Sequence, residues 1–163
     1  MLRHSDIRFL IHNSVPEAMP EAQQALQTLA AREPRVTLIE RAVTAAEWQD
    51  LLDRIDLIVC PYSPRSYQLV PSGVQAEAIA NAIPSVVPAG TALAEISTQF
   101  GGTSTTFMRN DVATVSDAVD AALLRYDALA ASTLAASARW AEHHGTRKAI
   151  DRLLACARDD ARA

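Results

Sequence analysis

The chain of 163 residues has few of the features that mark several large classes of protein. Its two cysteines, Cys60 and Cys156, match no metal-binding spacing, so we expect free thiols in a reducing compartment. No basic run is longer than Arg147–Lys148 and the formal net charge is −4, which argues against a nucleic-acid partner. No apolar run approaches the roughly 20 residues that span a bilayer, and the amino terminus has no signal-peptide core. We therefore expect a soluble, cytoplasmic protein without a transmembrane segment.

Short apolar runs alternate along the chain with longer segments in which apolar residues recur at helical spacing. This alternation predicts an α/β fold with about five strands in one parallel sheet, helices on both faces and a helical extension at the carboxyl end. The length predicts a single domain, 1–163, in which 111–160 is mainly helical. The predicted strands are 7–11, 36–39, 57–60, 85–87 and 104–108.

Capping and breaking residues predict where the helices lie. Thr44 and Glu47 have the spacing of a capping box. Asp111 is predicted to cap a long helical region that continues to Trp140 and is broken at Gly145. The first helix is predicted over 21–32, where Ala22, Ala25, Leu26 and Leu29 recur at helical spacing. A last helix, capped by Thr146, is predicted to hold Ile150, Leu153 and Leu154.

The stretch PYSPRSYQLVPSGVQAEAIANAIPSVV (61–87) joins a predicted strand, a polar loop, a helix over 72–82 and the next strand. In an open α/β sheet, a loop that leaves the carboxyl end of a strand and opens a helix is where ligands bind. Ser72 is predicted to cap the helix, with Gln75 completing a capping box. The amides of Gly73 and Val74 would then face a ligand, and the positive helix end favours a phosphate group.

Glu77 is the one carboxylate of this helix. Gly73, Glu77 and Asn81 follow one another at intervals of four, which places them on one helical stripe. A carboxylate one turn behind a phosphate site is well placed to accept hydrogen bonds from ribose hydroxyls. Each feature also has an ordinary structural explanation, namely a serine cap, a glycine that permits close packing and a glutamate that suits the helix dipole.

The run SGVQAEAIANAIPSVVPAGTALAE resembles the donor-binding segment of bacterial glycosyltransferases of the two-domain GT-B type, close to glycosyltransferase family 4. The resemblance implies a Rossmann-like domain, about half of such an enzyme, that holds a nucleotide sugar of the UDP or GDP type. It also implies an acceptor domain or subunit outside this chain, with which the reaction would be hexosyl transfer with retention. No metal and no further cofactor are implied.

By this resemblance, Glu77 matches the second glutamate of the family's Glu–seven residues–Glu motif, which binds the donor ribose. Ser72, Gly73 and Val74 match the helix start that faces the phosphates. Where the first glutamate of the motif falls, this chain has Leu69, which removes a carboxylate contact to the sugar ring.

Further site residues follow from the same resemblance. The family's Arg and Lys that neutralise the diphosphate are replaced by the run 12–15, His-Asn-Ser-Val, and Arg65 is the nearest substitute cation. Tyr62 and Tyr67 are candidates to stack on a base or to line the sugar pocket, with core packing as the alternative. Thr91 is a candidate to hydrogen-bond the sugar or simply to cap its own helix.

The histidine pair near the carboxyl end and the local sequence around possible nucleophiles support two further predictions. His143 and His144 are adjacent, so their side chains point about 100° apart on a helix and do not suit a shared metal ion. No nucleophile and base are paired in local sequence, so we predict no catalytic residue in this chain. The alternatives to a donor-binding domain are a non-catalytic α/β regulatory or interaction domain that has lost the site, and a flavodoxin-like module for a phosphorylated cofactor.

Overall fold

The computed structural model describes residues 6–145 together with 148, 150, 151 and 154. The chain divides into two compact units, Met1–Ile55 and Asp56–Ala163. In both units strands alternate with helices, and every described strand pair is parallel, which confirms the predicted α/β class. The described residues form five strands, as expected, but these strands are hydrogen-bonded as one two-stranded and one three-stranded sheet. The single domain stays a prediction.

The first unit contains a two-stranded sheet and two α-helices. Strand β1 pairs with β2 so that Phe9 lies opposite Val36, and the amide of Asn13 extends the ladder by donating to the carbonyl of Ile39 at 2.9 Å. The carboxyl ends of both strands therefore lie at one edge. The elements are β1 (Phe9–His12), a 3-10 turn (Pro16–Ala18), α1 (Pro20–Arg32), β2 (Val36–Ile39) and α2 (Ala45–Leu52).

Helix α1 forms where the spacing predicts it, but the side chain that it buries is polar. Gln23 is the buried residue of this helix, at 8% exposure. Its side-chain amide is held on both sides, since its oxygen accepts from Asn13 Nδ2 at 2.6 Å and its nitrogen donates to Glu40. These hydrogen bonds attach the helix to the carboxyl ends of both strands. Of the four apolar residues at helical spacing, Leu26 is half-buried, and Ala22, Ala25 and Leu29 are exposed.

Helix α2 begins with the predicted capping box. The Thr44 hydroxyl accepts from the Glu47 amide at 3.3 Å, and the Glu47 carboxylate accepts from the Thr44 amide at 2.8 Å. Arg41 adds a salt bridge to Glu47 at 2.6 Å. Together these donors lower the pKa of Glu47 to about 2, with Arg41 as the largest cause. Leu51 and Leu52 are buried at the other end of the helix.

The second unit is built on a three-stranded parallel sheet in the order β3-β4-β5. Ile58 lies opposite Ser85, which lies opposite Ser104. The loops that follow the three strands therefore leave the same edge of the sheet. The elements are β3 (Ile58–Val59), α3 (Gly73–Ala80), β4 (Ser85–Pro88), α4 (Ala92–Gln99), β5 (Ser104–Phe107), α5 (Val112–Leu124) and α6 (Tyr126–His144).

The core of the second unit combines a few large side chains with several alanines. One cluster joins the sheet to α5 and α6, and a second joins α3, α4 and α6. Because alanine side chains are small, the helix backbones approach their neighbours closely, and Phe107 and Phe100 fill much of the remaining space. The buried members are Val86, Phe107, Ala118, Ala122 and Leu129 in the first cluster and Ile79, Phe100 and Ala136 in the second.

The long helical region after Asp111 is two helices, not one. Asp111 caps α5 as predicted, its carboxylate accepting from the Thr114 amide at 2.9 Å. The helix stops at Arg125, where φ is −116° and ψ is 18°, and α6 begins at Tyr126. Helix α6 ends at His144 and Gly145 follows, as expected. The predicted cap at Thr146 lies outside the described residues, as does most of the predicted last helix.

Helix α6, Tyr126–His144, is the longest of the described helices. Within the part of the chain that the structure describes, neither this helix nor any other combines the length and the apolar character needed to cross a lipid bilayer.

Candidate functional site

The start of helix α3 lies where the sequence predicts it. Ser72 is the N-cap, and its hydroxyl accepts from the Gln75 amide at 3.3 Å. The predicted second half of the capping box is not formed, because the Gln75 side chain is packed in the interior and does not fold back on Ser72. Its amide oxygen and nitrogen are fully buried and have no hydrogen-bond partner among the described residues.

Gly73 is the first residue of α3, and its environment is open. A Cβ placed on Gly73 would meet no heavy atom within 4 Å. Its φ lies outside the left-handed region, so any residue could adopt its backbone conformation. Close packing, the ordinary explanation for this glycine, is therefore excluded. The first amides of a helix have no intrahelical acceptor, and here they border open space.

Glu77 and Asn81 lie on the same exposed side of α3 as Gly73, which agrees with the predicted stripe. Asn81 ends the helix, and both its backbone amide and its side-chain amide donate to the carbonyl oxygen of Glu77, each at 2.9 Å. Val74 is half-buried beside the open helix start. The structure thus brings Gly73 and Glu77 to one solvent-facing surface.

The loop 61–72 carries two stacked tyrosines. The rings of Tyr62 and Tyr67 have centroids 4.4 Å apart and planes inclined by 18°. A turn between them is closed by the amide of Tyr67, which donates to the Ser63 carbonyl at 3.2 Å. The Tyr67 and Gln68 carbonyls both accept from the amide of Ala92, at 3.3 and 3.2 Å. The loop therefore reaches from α3 to the first residue of α4.

Cys60 and Tyr62, at the end of β3 where this loop begins, stay protonated at neutral pH. Burial raises the pKa of Cys60 to about 11 and that of Tyr62 to about 12. The amide of Tyr62 donates to the Cys60 carbonyl at 2.7 Å. Cys60 is free and buried, as predicted. A thiol with so high a pKa is a poor nucleophile at neutral pH.

The remaining predicted site residues of the second unit lie at its surface or deep in its core. Arg65 is exposed and forms no ion pair with any described residue, and Leu69 is 88% exposed. Thr91 is completely buried, and its hydroxyl donates to the Pro88 carbonyl at 2.7 Å. Its side chain does not cap α4, so that explanation of Thr91 is wrong. The fixed hydroxyl instead holds the end of β4 to the start of α4.

In the first unit, the carboxyl edge of the sheet holds a network of amides around a carboxylate. Asn13, which directly follows β1, bonds to Gln23, and Gln23 bonds to Glu40, which directly follows β2. Gln27 also donates to Glu40, at 2.5 Å, and His12 Nε2 lies 2.9 Å from the carbonyl of Arg41. The run 12–15, which replaces the family's Arg and Lys, follows β1, and its Asn13 connects through Gln23 to the Glu40 carboxylate after β2. Sequence reasoning missed this network.

His143 and His144 belong to an aromatic group at the end of α6. The His144 ring stacks on Trp140 with centroids 4.1 Å apart, and both histidines lie 5.9 Å from the ring of Phe100. Both side chains are exposed, as expected, but they pack on these rings instead of lying only in solvent. Within the described ranges, no group of three or more His, Cys, Asp or Glu side chains is arranged to hold a metal ion.

No protein-family model matches the chain, and no curated protein is similar to it at a significant level. The resemblance to glycosyltransferases of the GT-B type therefore rests on the motif residues themselves.

Proposed function

We propose that the second unit binds the diphosphate of a nucleotide sugar at the start of α3, as the donor-binding part of a glycosyltransferase. The observation that carries the proposal is the open space in front of Gly73. Neither packing nor backbone conformation calls for glycine at this position. A ligand that approaches the first amides of the helix would explain the glycine at position 73, because a side chain there would stand in its way.

The electrostatics of this helix start suit an anion without a dedicated cation. An α-helix carries roughly half a positive charge at its amino end. The Gln75 amide already donates to the Ser72 hydroxyl, so the amides of Gly73 and Val74 are the donors that remain for a ligand. Arg65 lies in the adjoining loop and is the nearest basic side chain in sequence. Glu77, one turn further along the exposed side, is the proposed partner of the ribose hydroxyls.

The proposal assigns donor binding to this chain and leaves group transfer to a complex. Catalysis of this type depends on positioning and on stabilising the leaving diphosphate, and the acceptor must come from another domain or subunit. We propose that the chain alone binds a UDP or GDP sugar weakly and transfers nothing. The buried thiol of Cys60 fits the proposed location in the reducing cytoplasm.

A thermal-shift panel with UDP, GDP, ADP and their sugars tests donor binding. A ligand present at a hundredfold excess over its Kd should stabilise the protein by about 2.7 kcal/mol, or about 5 to 10 °C for a chain of this size. The absence of a shift with every nucleotide at millimolar concentration would remove the proposal.

A matched pair of variants tests the role of Glu77. Glu77→Ala should abolish the nucleotide-dependent shift, while Glu142→Ala, which removes an exposed carboxylate from α6, should leave it intact. Because both side chains are exposed, the unliganded Tm of each variant should stay within about 2 °C of the parent value. Equal shifts in the two variants would show that Glu77 does not contact the nucleotide.

One observation favours the second candidate function, a non-catalytic regulatory or interaction domain. The run 12–15, where the family has Arg and Lys, contains neither residue, and Asn13 within this run is hydrogen-bonded to Gln23. Under this function the panel of nucleotides produces no shift, and pull-down of a protein partner by the intact chain becomes the informative experiment.

A further inference from the structure

Four exposed aliphatic side chains, called here the apolar rim, lie at the carboxyl edge of the sheet in the second unit. The members of the rim are Leu69, Val70, Met108 and Val112. Two of them belong to the loop that follows β3, and the other two flank the loop that follows β5. Three have exposed fractions of 76% to 89%, and Val70 is 53% exposed. Because both loops leave the same edge of the sheet, all four side chains lie at one end of the unit.

Hydrogen bonds hold the two halves of the rim to the short loop between β4 and α4. The carbonyl directly before Leu69 accepts from the Ala92 amide at 3.2 Å. The carbonyl directly before Met108 accepts from the Ala89 amide at 2.8 Å. Ala89 and Ala92 bound the same loop, so the two halves of the rim stand on either side of it.

The charge of this edge is opposite in sign to the net charge of the chain, which is −4. The segments 60–74, 88–92 and 107–112, which the structure describes throughout, contain two arginines and a single carboxylate. That carboxylate, Asp111, is paired with Arg109 at 2.8 Å, while Arg65 is exposed and has no ion pair among the described residues. Helices α3, α4 and α5 also begin at this edge, and each adds its positive end. The first carboxylates of these helices lie further along, at Glu77, Glu95 and Asp117.

We propose that the apolar rim docks on the surface of an anionic phospholipid bilayer. The aliphatic side chains enter the lipid, and Arg65 lies beside the head groups. Side chains that protrude from separate loops each enter a bilayer without a matching cavity, which a protein partner would have to provide. The positive edge also favours an anionic bilayer over a second copy of this acidic chain. The inference goes beyond the proposed function and does not rest on it.

The expected binding is weak and reversible. The four side chains together have roughly the apolar bulk of one myristoyl chain, which alone gives a membrane binding constant of about 10⁴ M⁻¹. Stable attachment requires a second contribution, and here the basic edge supplies it. Vesicles that contain anionic lipid should therefore bind the chain, and vesicles of neutral lipid should bind it much less.

Flotation of the full chain with lipid vesicles tests the proposal. Vesicles of phosphatidylcholine with about 30% phosphatidylserine should carry the chain upward in a density gradient, and vesicles of phosphatidylcholine alone should bind it about tenfold less tightly. Raising the salt concentration to about 0.5 M should reduce this difference, because salt screens the attraction between the edge and the head groups. No nucleotide is present, so the result is independent of donor binding.

Two leucines provide a matched pair of variants. Leu69 in the rim and Leu124 at the opposite end of α5 are 88% and 87% exposed, so serine at either position leaves the core intact. Leu69→Ser should weaken binding to the anionic vesicles about tenfold, because an inserted leucine is lost. Leu124→Ser should bind like the parent chain. Arg65→Gln should weaken binding about fivefold, the usual contribution of one basic residue at such a surface.

Three outcomes would overturn the proposal. The first is failure of the parent chain to float with the anionic vesicles, and the second is an equal loss of binding in Leu69→Ser and Leu124→Ser. The third is a chain that does not float but sediments as a dimer that Leu69→Ser dissociates, since the rim would then be a contact between two copies. Unchanged thermal unfolding of the three variants confirms that their binding is compared in the folded state.

Discussion

The amide of Ile83 donates to the carbonyl oxygen of Ala78 at 2.8 Å, across the carboxyl end of helix α3. The amide of Ala82 donates to the Ile79 carbonyl at 3.2 Å, so both hydrogen bonds of a Schellman motif are formed. This motif requires a left-handed residue, and Ala82 has φ 57°. Glycine is the usual residue there, because the Cβ of any other residue is strained in this conformation.

Replacing this alanine tests how much strain it stores. Relief of the left-handed strain outweighs the greater backbone freedom of glycine in the unfolded chain, so Ala82→Gly should raise the free energy of unfolding by about 0.5 to 1 kcal/mol. The change should appear in the midpoint of urea unfolding with an unaltered m-value. Ala80→Gly, two residues earlier at the last position of α3, is the control and should lower stability by a similar amount.

The buried amide of Gln75 predicts a stabilising substitution. Methionine has nearly the same length and shape but leaves no polar group unpaired, so Gln75→Met should raise the free energy of unfolding by about 1 to 2 kcal/mol. Gln99→Met, at an exposed position at the end of α4, should have little effect in the same thermal unfolding experiment. A loss of stability in Gln75→Met would show that an ordered water molecule satisfies the amide in solution.

The capping box of α2 predicts a contribution to stability that disappears in acid. The pKa of Glu47 is lowered from 4.5 to about 2, mainly by Arg41, so the folded chain binds this proton less readily than the unfolded chain. The contribution is therefore complete above about pH 4.5 and is lost as the pH falls toward 2. Unfolding midpoints of the parent and Glu47→Gln should differ at pH 7 and converge by pH 2. A difference that persists at pH 2 would assign the effect to packing and not to charge.

Substitution of two glycines by alanine should have different effects on stability. Gly101 has φ 112°, and a Cβ there would meet the guanidinium of Arg139, so Gly101→Ala should destabilise the chain by about 1 to 3 kcal/mol. Gly73 has a helical conformation and open surroundings, so Gly73→Ala should be neutral or slightly stabilising in the absence of ligand. Calorimetry of the two variants side by side provides the comparison, and equal losses would contradict it.

Local signals in the sequence predicted the strands and caps well. Thr44, Ser72 and Asp111 cap helices where expected, because a capping side chain bonds an amide only three residues away and the spacing is visible in the sequence. The strand positions follow from short apolar runs for the same reason. In the candidate site, the exposure of Gly73 and Glu77 on one side of α3 was likewise predictable from helical periodicity.

Features that depend on partners distant in sequence could not be predicted. The burial of Gln23 depends on Asn13 and Glu40, which come close only once β1 and β2 pair. The break at Arg125 is equally hidden, since arginine has a good intrinsic helix propensity and tertiary packing overrides it. The stacking of Tyr62 on Tyr67 requires the turn that Ser63 closes. Two sheets in place of one reflect hydrogen-bond pairing that apolar runs do not encode.

The chain of hydrogen bonds from Asn13 through Gln23 to Glu40 has a direction. Asn13 donates to Gln23 and Gln23 donates to the Glu40 carboxylate, so the orientation of the Gln23 amide is fixed from both sides. Hydrolysis of the Asn13 amide to a carboxylate would leave the Gln23 oxygen facing a carboxylate in either orientation, at position 13 or at Glu40. Replacing the Asn13 amide nitrogen by oxygen at the end of β1 would in this way disrupt the hydrogen bonds that reach Glu40 at the end of β2. Deamidation of Asn13 should thus lower the temperature at which the first unit unfolds.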